Sequence, residues 1–350
     1  MPKAPKLTKL SLRRKPAPEK TTVVPKITNE SIAEHREEVL GRARKFASPL
    51  RHSRNRIVKL SIGIAITTLI IFFIGSCLAL YKFRSTSSFT YGITRIIPFP
   101  VAYADGRFVS YESYLFELRH YIHYYQTQQN VNFSTSSGQR QLAVLRQRSL
   151  DQAIDRAYVA KLAKQHDVHV LPAEVNAQVD IARNQNRLGA SDGVFQSVLK
   201  DFWGWSVSDF KHELKLELLD QKVAATLDTA TTKRAQNVYK QLQQGADFAK
   251  LAQVQSDDTT TKKNGGTYNF TITEANRDLS PLVVQEAFKL NQGEMSSIID
   301  TGYTLEIIKV LKVSGQKRQV AHIAFNYKDI STYVQPLRKQ HKPTSYIGTN

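Results

Sequence analysis

Two histidine pairs, His120/His123 and His166/His169, stand three residues apart, the spacing that sets two imidazoles on one helix face. Such a pair can start a zinc site. Neither has a cluster of acidic or cysteine partners beside it, so both are read as packed or solvent-facing, and no metal is expected. Asn264-Gly265-Gly266 is one glycine turn, too little for a phosphate loop, and no Gly-x-Ser-x-Gly or other hydrolase signature occurs. The single cysteine excludes a disulfide framework and a cysteine-rich zinc module. No cofactor is expected. Asn132-Phe133-Ser134 and Asn269-Phe270-Thr271 fit glycosylation acceptors, a match common by chance.

The elements that must position any site are unevenly distributed. The 350 residues are 41% hydrophobic and 23% charged, room for two modest domains plus tails. Residues 1–59 hold sixteen lysines and arginines against five acids, more than half of the +19 net charge. An uncharged run follows, LSIGIAITTLIIFFIGSCLALY from Leu60 to Tyr81. At about 1.5 Å per residue it reaches about 33 Å, enough for a hydrocarbon core of roughly 30 Å. Arg51, Arg54, Arg56 and Lys59 crowd its N-terminal flank against Lys82 and Arg84 on the other, which predicts residues 1–59 in the cytoplasm and 82–350 outside it. The run is too long and too far from the N-terminus for a cleaved signal peptide. Ile74-Gly75-Ser76-Cys77 loosely resembles a lipobox, but apolar residues continue through Leu80, and a plain membrane cysteine is the expectation.

The basic tail has Phe46 as its one aromatic and five early prolines. It predicts a largely disordered segment attracted to anionic lipid, with a short helix over 31–47, and nucleic acid is not an expected partner. Residues 84–96 read as a polar linker. Beyond it, Asp105-Gly106 between Val101–Ala104 and Phe108–Val109 predicts a two-residue hairpin. Tyr111–Tyr125 predicts an aromatic-rich amphipathic helix and Asn130–Arg140 a loop. Leu150, Ile154, Ala157, Tyr158 and Leu162 form one helical face within 141–166, Pro172 opens a further helix, and the loop Gly189–Gly193 follows. Ser206-Val207-Ser208-Asp209 fits a capping box ahead of Phe210–Leu227. In this order, IPFPVAYADGRFVS, AKLAKQHDVHVLPAEV and WGWSVSDFKHELKLELLDQKV resemble the N-terminal chaperone region of SurA/PrsA-type foldases. The plainer alternative is a helical bundle with no assigned task.

Residues 234–313 resemble a parvulin-type peptidyl-prolyl isomerase domain. The matching pieces are Gln244-Gly245-Ala246-Asp247-Phe248, Ser256-Asp257-Asp258, Asn264-Gly265-Gly266, Leu279-Ser280-Pro281, Glu286-Ala287-Phe288-Lys289-Leu290, Gly293-Glu294-Met295-Ser296 and Gly302-Tyr303. The resemblance implies an apolar proline cup at Leu279 and Val283 with Phe288 behind, and Asp258 where parvulins carry Cys or Asp. The bland alternative for Asp258 is a turn cap in SDDTTT. Glu306 stands where the family's last strand has a histidine, and Val283 is smaller than the usual Phe.

The family's opening strand is missing from its usual place, since Ala224–Arg234 has no apolar β-run and no histidine. Gln319–Phe325, QVAHIAF, resembles that strand and follows the hairpin turn Ser314-Gly315-Gln316-Lys317. One expectation is a circularly permuted domain that sets His322 beside Glu306. The alternatives are a truncated second repeat, or an added edge strand whose His322 is structural.

The fold class expected is α+β. Its parts are a tail (1–59), a transmembrane helix (60–81), a linker (82–100), a helical chaperone domain (101–228), a parvulin-like domain (229–327, with 319–325 as the displaced strand) and a C-terminal tail (328–350). The resemblance implies an extracytoplasmic, membrane-anchored foldase acting on X-Pro bonds of unfolded secreted polypeptides. Its catalytic residues would be His322, Asp258 and Glu306, and its substrate contacts Leu279, Val283 and Phe288. The alternative is an inactive parvulin-like holdase or scaffold.

Overall fold

The structure of the chain, a computed structural model, describes residues 28–184 and 191–348, without the side chains of 46–54 and 184. The disorder expected over the first 27 residues, and the Gly189 end of the expected loop, lie outside the described residues. Helix α1 (Asn29–Cys77) runs on from the basic segment into the apolar run, so residues 29–59 are helical and not a disordered tail. Asn55–Lys82 is, among the described residues, the one helix long and apolar enough to cross a membrane.

The last residues of that run do other work. A π-helical turn over Leu78–Lys82 places Leu80, fully enclosed, in the core of the helical region. The Tyr81 hydroxyl donates to the Pro100 carbonyl (2.6 Å) and the Tyr111 hydroxyl to the Leu80 carbonyl (2.7 Å). Residues 55–76 alone still give about 33 Å, sufficient to span.

That core is built from α2 (Ser88–Ile96), β1 (Pro100–Ala104), β2 (Arg107–Ser110), α3 (Tyr111–Thr127) and α4 (Ser136–Gln165). The linker expected over 84–96 is therefore helix α2, capped by Ser87 and buried through Ile93. Asp105 and Gly106 both have positive φ (47° and 84°), as a type I′ hairpin turn needs. Helix α4 starts earlier than expected, because the Thr135 hydroxyl caps it by accepting from the Gly138 amide. Helices α5 (Pro172–Asn184), α6 (Asp192–Val198) and α7 (Val207–Leu227) gather on a smaller core of Val179, Phe195, Leu199 and Phe210. The Ser206/Asp209 capping box at the start of α7 is present.

Residues 229–327 form a second assembly. Helices α8 (Thr229–Gln243) and α9 (Phe248–Gln255) lie ahead of α10 (Pro281–Lys289) and the strands β3 (Ile299–Asp300), β4 (Thr304–Ser314) and β5 (Lys317–Asn326). The antiparallel order is β3-β4-β5, and single bridges from Thr267 and Ile272 to Ala321 and Arg318 occupy the far edge of β5. Side chains alternate across a strand. Leu305, Ile307, Ile323 and Phe325 thus pack on α8 and α9, while Ile308, Val310 and Val320 pack on α10.

Residues 328–348, expected within a C-terminal tail, are packed. Helix α11 (Ser331–Gln340) and strand β6 (Thr344–Ser345) return to the helical region, where β6 completes the sheet β2-β1-β6. Val334 and Ile347 are buried in its core, and Arg338 pairs with Asp151 and Asp155 of α4. The reason is visible in the residues: Ile330, Tyr333, Val334 and Leu337 make one apolar helix face. A chain ending at residue 328 is expected to lose about 3–6 kcal/mol of stability, the burial of two aliphatic side chains. An unchanged denaturation midpoint would contradict this packing.

Candidate active site

Three distant sequence positions meet on the α10 face of the sheet. In the β4–β5 register Ile308 opposes His322 and Glu306 opposes Ala324, so Glu306 and His322 are diagonal neighbours on one face. His322 Nδ1 lies 3.0 Å from Glu306 Oε2, and its Nε2 lies 2.8 Å from Asp258 Oδ2. The imidazole is buried, and of its two carboxylate partners Asp258 is the more open.

Each partner is itself held. Asp258 accepts from the Thr260 amide (2.9 Å) and the Thr261 hydroxyl (2.6 Å). It therefore caps its turn and meets His322 at once. Ser256, two residues earlier, accepts from the Ala324 amide (3.1 Å), docking the turn on β5 beside the histidine. Glu306 accepts from the Thr304 hydroxyl (3.2 Å). The glycine turn serves this assembly: the His322 amide donates to the Gly266 carbonyl (2.9 Å) at φ +78°, and a Cβ on Gly266 would sit 2.1 Å from the His322 carbonyl oxygen.

Two side chains that sequence reasoning missed complete the network. The Thr261 hydroxyl is 2.9 Å from His322 Nε2, and the Tyr268 hydroxyl is 2.9 Å from Nδ1. The Tyr268 ring lies against the imidazole at 4.3 Å between centroids, and Phe270 stacks on Tyr268 at 5.3 Å. The signal was the alternation in Tyr268-Asn269-Phe270, which puts both rings on one face.

Burial opposes a charged His322. The hydrogen bond and charge of Glu306, then those of Asp258, outweigh it, and the net shift is upward. For Asp258 burial also opposes charge, but hydrogen bonds from Thr261, Thr260 and His322 prevail and bring it down to about 2. Burial first, then the charges of Glu306 and Asp258, push the Tyr268 phenol up, so it stays neutral, with Glu306 as its acceptor. When protonated, the imidazole donates from both nitrogens to the two carboxylates.

A folded-state pKa raised above the unfolded value stabilises the fold below about pH 6.5, and that contribution is lost as pH rises through the folded pKa. The lowered Asp258 contributes above about pH 4 and loses its share as pH falls towards its folded value. The expected NMR titration midpoint of His322 is above about 6.5. A midpoint at or below that value would contradict the two-carboxylate clamp.

The predicted apolar cup is gathered in part. Leu279 and Phe288 are half-buried and share a cluster with Tyr268, Phe270 and Val283. Leu279 is set by its amide donating to Asn276 Oδ1 (3.0 Å), just before Pro281 opens α10. Val283 differs from the expectation: at 0% exposure it offers no surface to a substrate and is packed as floor beneath its neighbours. Arg318 lies over the Phe288 ring at 4.7 Å, a further side chain that the sequence did not mark. Of the histidine pairs, His166 and His169 face solvent, His169 lying 2.9 Å from Asp167. His120 stacks on Trp205, and no group that could hold a metal occurs among the described residues.

The helical region decides the family. Residues 50–224, half of the chain, match the family described as a SurA-like N-terminal domain. The chain belongs to this SurA-like family. Residues 218–312 match the PPIC-type PPIase (rotamase) domain, a stretch that includes Asp258, Leu279 and Glu306 and stops short of β5 and His322. Among curated relatives, foldase protein PrsA of Caldanaerobacter subterraneus subsp. tengcongensis is 28% identical over 49% of this chain and 58% of its own length. Foldase protein PrsA 1 of Lactobacillus johnsonii is 32% identical over 34% and 47%. The parvulin-like PPIase of Rickettsia bellii is 33% identical over 29% and 36%. The SurA-like chain thus spans between 36% and 58% of the length of these relatives.

Proposed function

We propose that this chain is a membrane-anchored foldase whose PPIC-type domain isomerises X-Pro bonds in unfolded, secreted polypeptides. The observation that carries this is His322 clamped between Asp258 and Glu306 beside half-buried Leu279, Phe270 and Phe288. Rotation about an X-Pro bond crosses a barrier of about 18–20 kcal/mol and breaks no covalent bond, so no nucleophile is required. Resonance in the planar amide places partial negative charge on the carbonyl oxygen, and twisting removes it. A carbonyl lodged against Asp258, the open end of a network with net negative charge, is disfavoured while planar and relieved when twisted. The apolar rings hold the proline meanwhile.

Support for the anchored placement comes from the apolar helix and the basic flank before it, with lipid as its partner and the catalytic region outside the cytoplasm. We also propose that β5 takes the place of the parvulin opening strand, making the domain circularly permuted. Its position between β4 and the Thr267–Ile272 segment supports this. A chain with residues 316–327 moved ahead of α8 through a linker is expected to fold and act as the parent does; failure to fold would count against it.

One observation favours a second reading. With Val283 enclosed, the cup is shallow, as suits a domain that binds chains without turning them over. The full chain in nanodiscs, added to a refolding protein limited by proline isomerisation, separates the two. Acceleration of the slow phase supports the isomerase. Suppressed aggregation with an unchanged slow phase supports binding alone.

A further inference from the structure

A groove of about 670 Å³ lies between α4, α7 and α11, within the range that peptide side chains and small ligands occupy. Val144, 60% exposed, and half-buried Ile330 give it apolar surface over a floor of buried Val159 and Val334. Against this wall α7 presents Glu213, Glu217 and Asp220, spaced four and three residues apart on one face. Like charges so arranged destabilise a helix unless cations offset them.

The local arginines are already engaged. Arg156 pairs with Glu117 and Glu213, and Arg338 with Asp151 and Asp155. Arg148 lies over the Tyr121 ring at 4.9 Å. Glu217 accepts only the Tyr303 hydroxyl (2.5 Å), and Asp220 has no hydrogen bond or ion pair among the described residues. In a chain of net charge +19, this groove keeps two carboxylates, Glu217 and Asp220, outside any ion pair among the described residues, beside exposed Val144.

We propose that the groove docks polypeptide segments in which a lysine or arginine adjoins apolar residues, the cation meeting Asp220 and Glu217 and the apolar neighbours covering Val144 and Ile330. Charge complementarity selects this occupant over an acidic or purely apolar segment. The proposal rests on the chaperone reading of the helical region and not on isomerase activity. Burial pushes the Asp220 carboxyl up to about 7, with Glu213, Glu217 and Asp329 adding to it and Arg156 opposing. A group so placed is costly to the fold, as binding residues often are.

The test uses the full chain in nanodiscs of neutral phosphatidylcholine and fluorescent, proline-free decapeptides read by anisotropy. One carries a central lysine between leucines; its controls carry norleucine or glutamate there. The lysine peptide is expected to bind about tenfold or more tightly than either control, a preference that Asp220→Asn removes. Because the peptides carry no proline, their binding is read without isomerisation, so a failed isomerase reading leaves this result intact. Asp220→Asn should also melt at least about 2 °C higher than the parent at pH 8, which shows that it folds. Equal binding of lysine and norleucine peptides, a glutamate peptide bound as well as lysine, or an unchanged preference in Asp220→Asn would each overturn the proposal.

Discussion

Replacing His322 by alanine is expected to lower the catalysed proline phase about tenfold or more, about 1.4 kcal/mol of barrier. The imidazole lies between Asp258 and Glu306 and, when protonated, fixes both carboxylates through its two ring nitrogens. Without it, two like charges face a small void and the open carboxylate loses its orientation. Removing one partner of a buried charged pair also costs about 3–5 kcal/mol of stability, so activity is to be read well below the melting temperature. Glu306→Gln separates the two effects. It keeps the size and an acceptor on Nδ1 but removes the charge, so the His322 titration midpoint should fall while the fold persists. Full activity in His322→Ala with an intact fold would remove the histidine from the mechanism.

Gly266→Ala is expected to destabilise the sheet assembly by about 3 kcal/mol or more, from left-handed backbone strain and overpacking together. The clash is with backbone and not with a flexible side chain: the new methyl would meet the His322 carbonyl oxygen at 2.1 Å. Relief requires the turn to lift from β5, which breaks the His322 amide bond to the Gly266 carbonyl and draws Thr261 and Tyr268 from the imidazole. The variant should therefore show both a lowered denaturation midpoint and a His322 titration nearer its ordinary value. Gly106→Ala is a useful contrast. It too has positive φ, but nothing lies within 4 Å, so it carries backbone strain alone. Equal effects from the two glycines would contradict the packing argument.

These sites show what the residues disclose without coordinates. Asp105-Gly106 and the Ser206/Asp209 box are local chemistry, and local chemistry is legible. Asp258, Glu306 and His322 could be paired only through the order of motifs along the chain, since nothing in their spacing brings them together. Thr261 and Tyr268 escaped because a hydroxyl becomes a site residue only through the tertiary neighbour it finds. Val283 was located by position, but its enclosure follows from the rings packed above it, which position does not reveal. The C-terminal segment was half legible: Tyr333, Val334 and Leu337 carry a helical face, but Pro336 interrupts it and two-residue β6 is too short for an alternating pattern. The Ser88–Ile96 helix hides in polar residues because its buried positions include Thr90 and Thr94, whose hydroxyls turn back onto the backbone.

The central claim, that the clamped histidine serves X-Pro isomerisation, is met most directly by exchange NMR on a short Xaa-Pro peptide. The full chain in nanodiscs would be added at catalytic concentration and the cis–trans exchange rate read from the cross-peaks. Uncatalysed exchange takes tens to hundreds of seconds. The account predicts exchange peaks on the seconds timescale with the parent chain and their loss with His322→Ala. Peptide resonances that broaden from binding, with the exchange rate unchanged, would contradict it and leave a chain-binding module in its place.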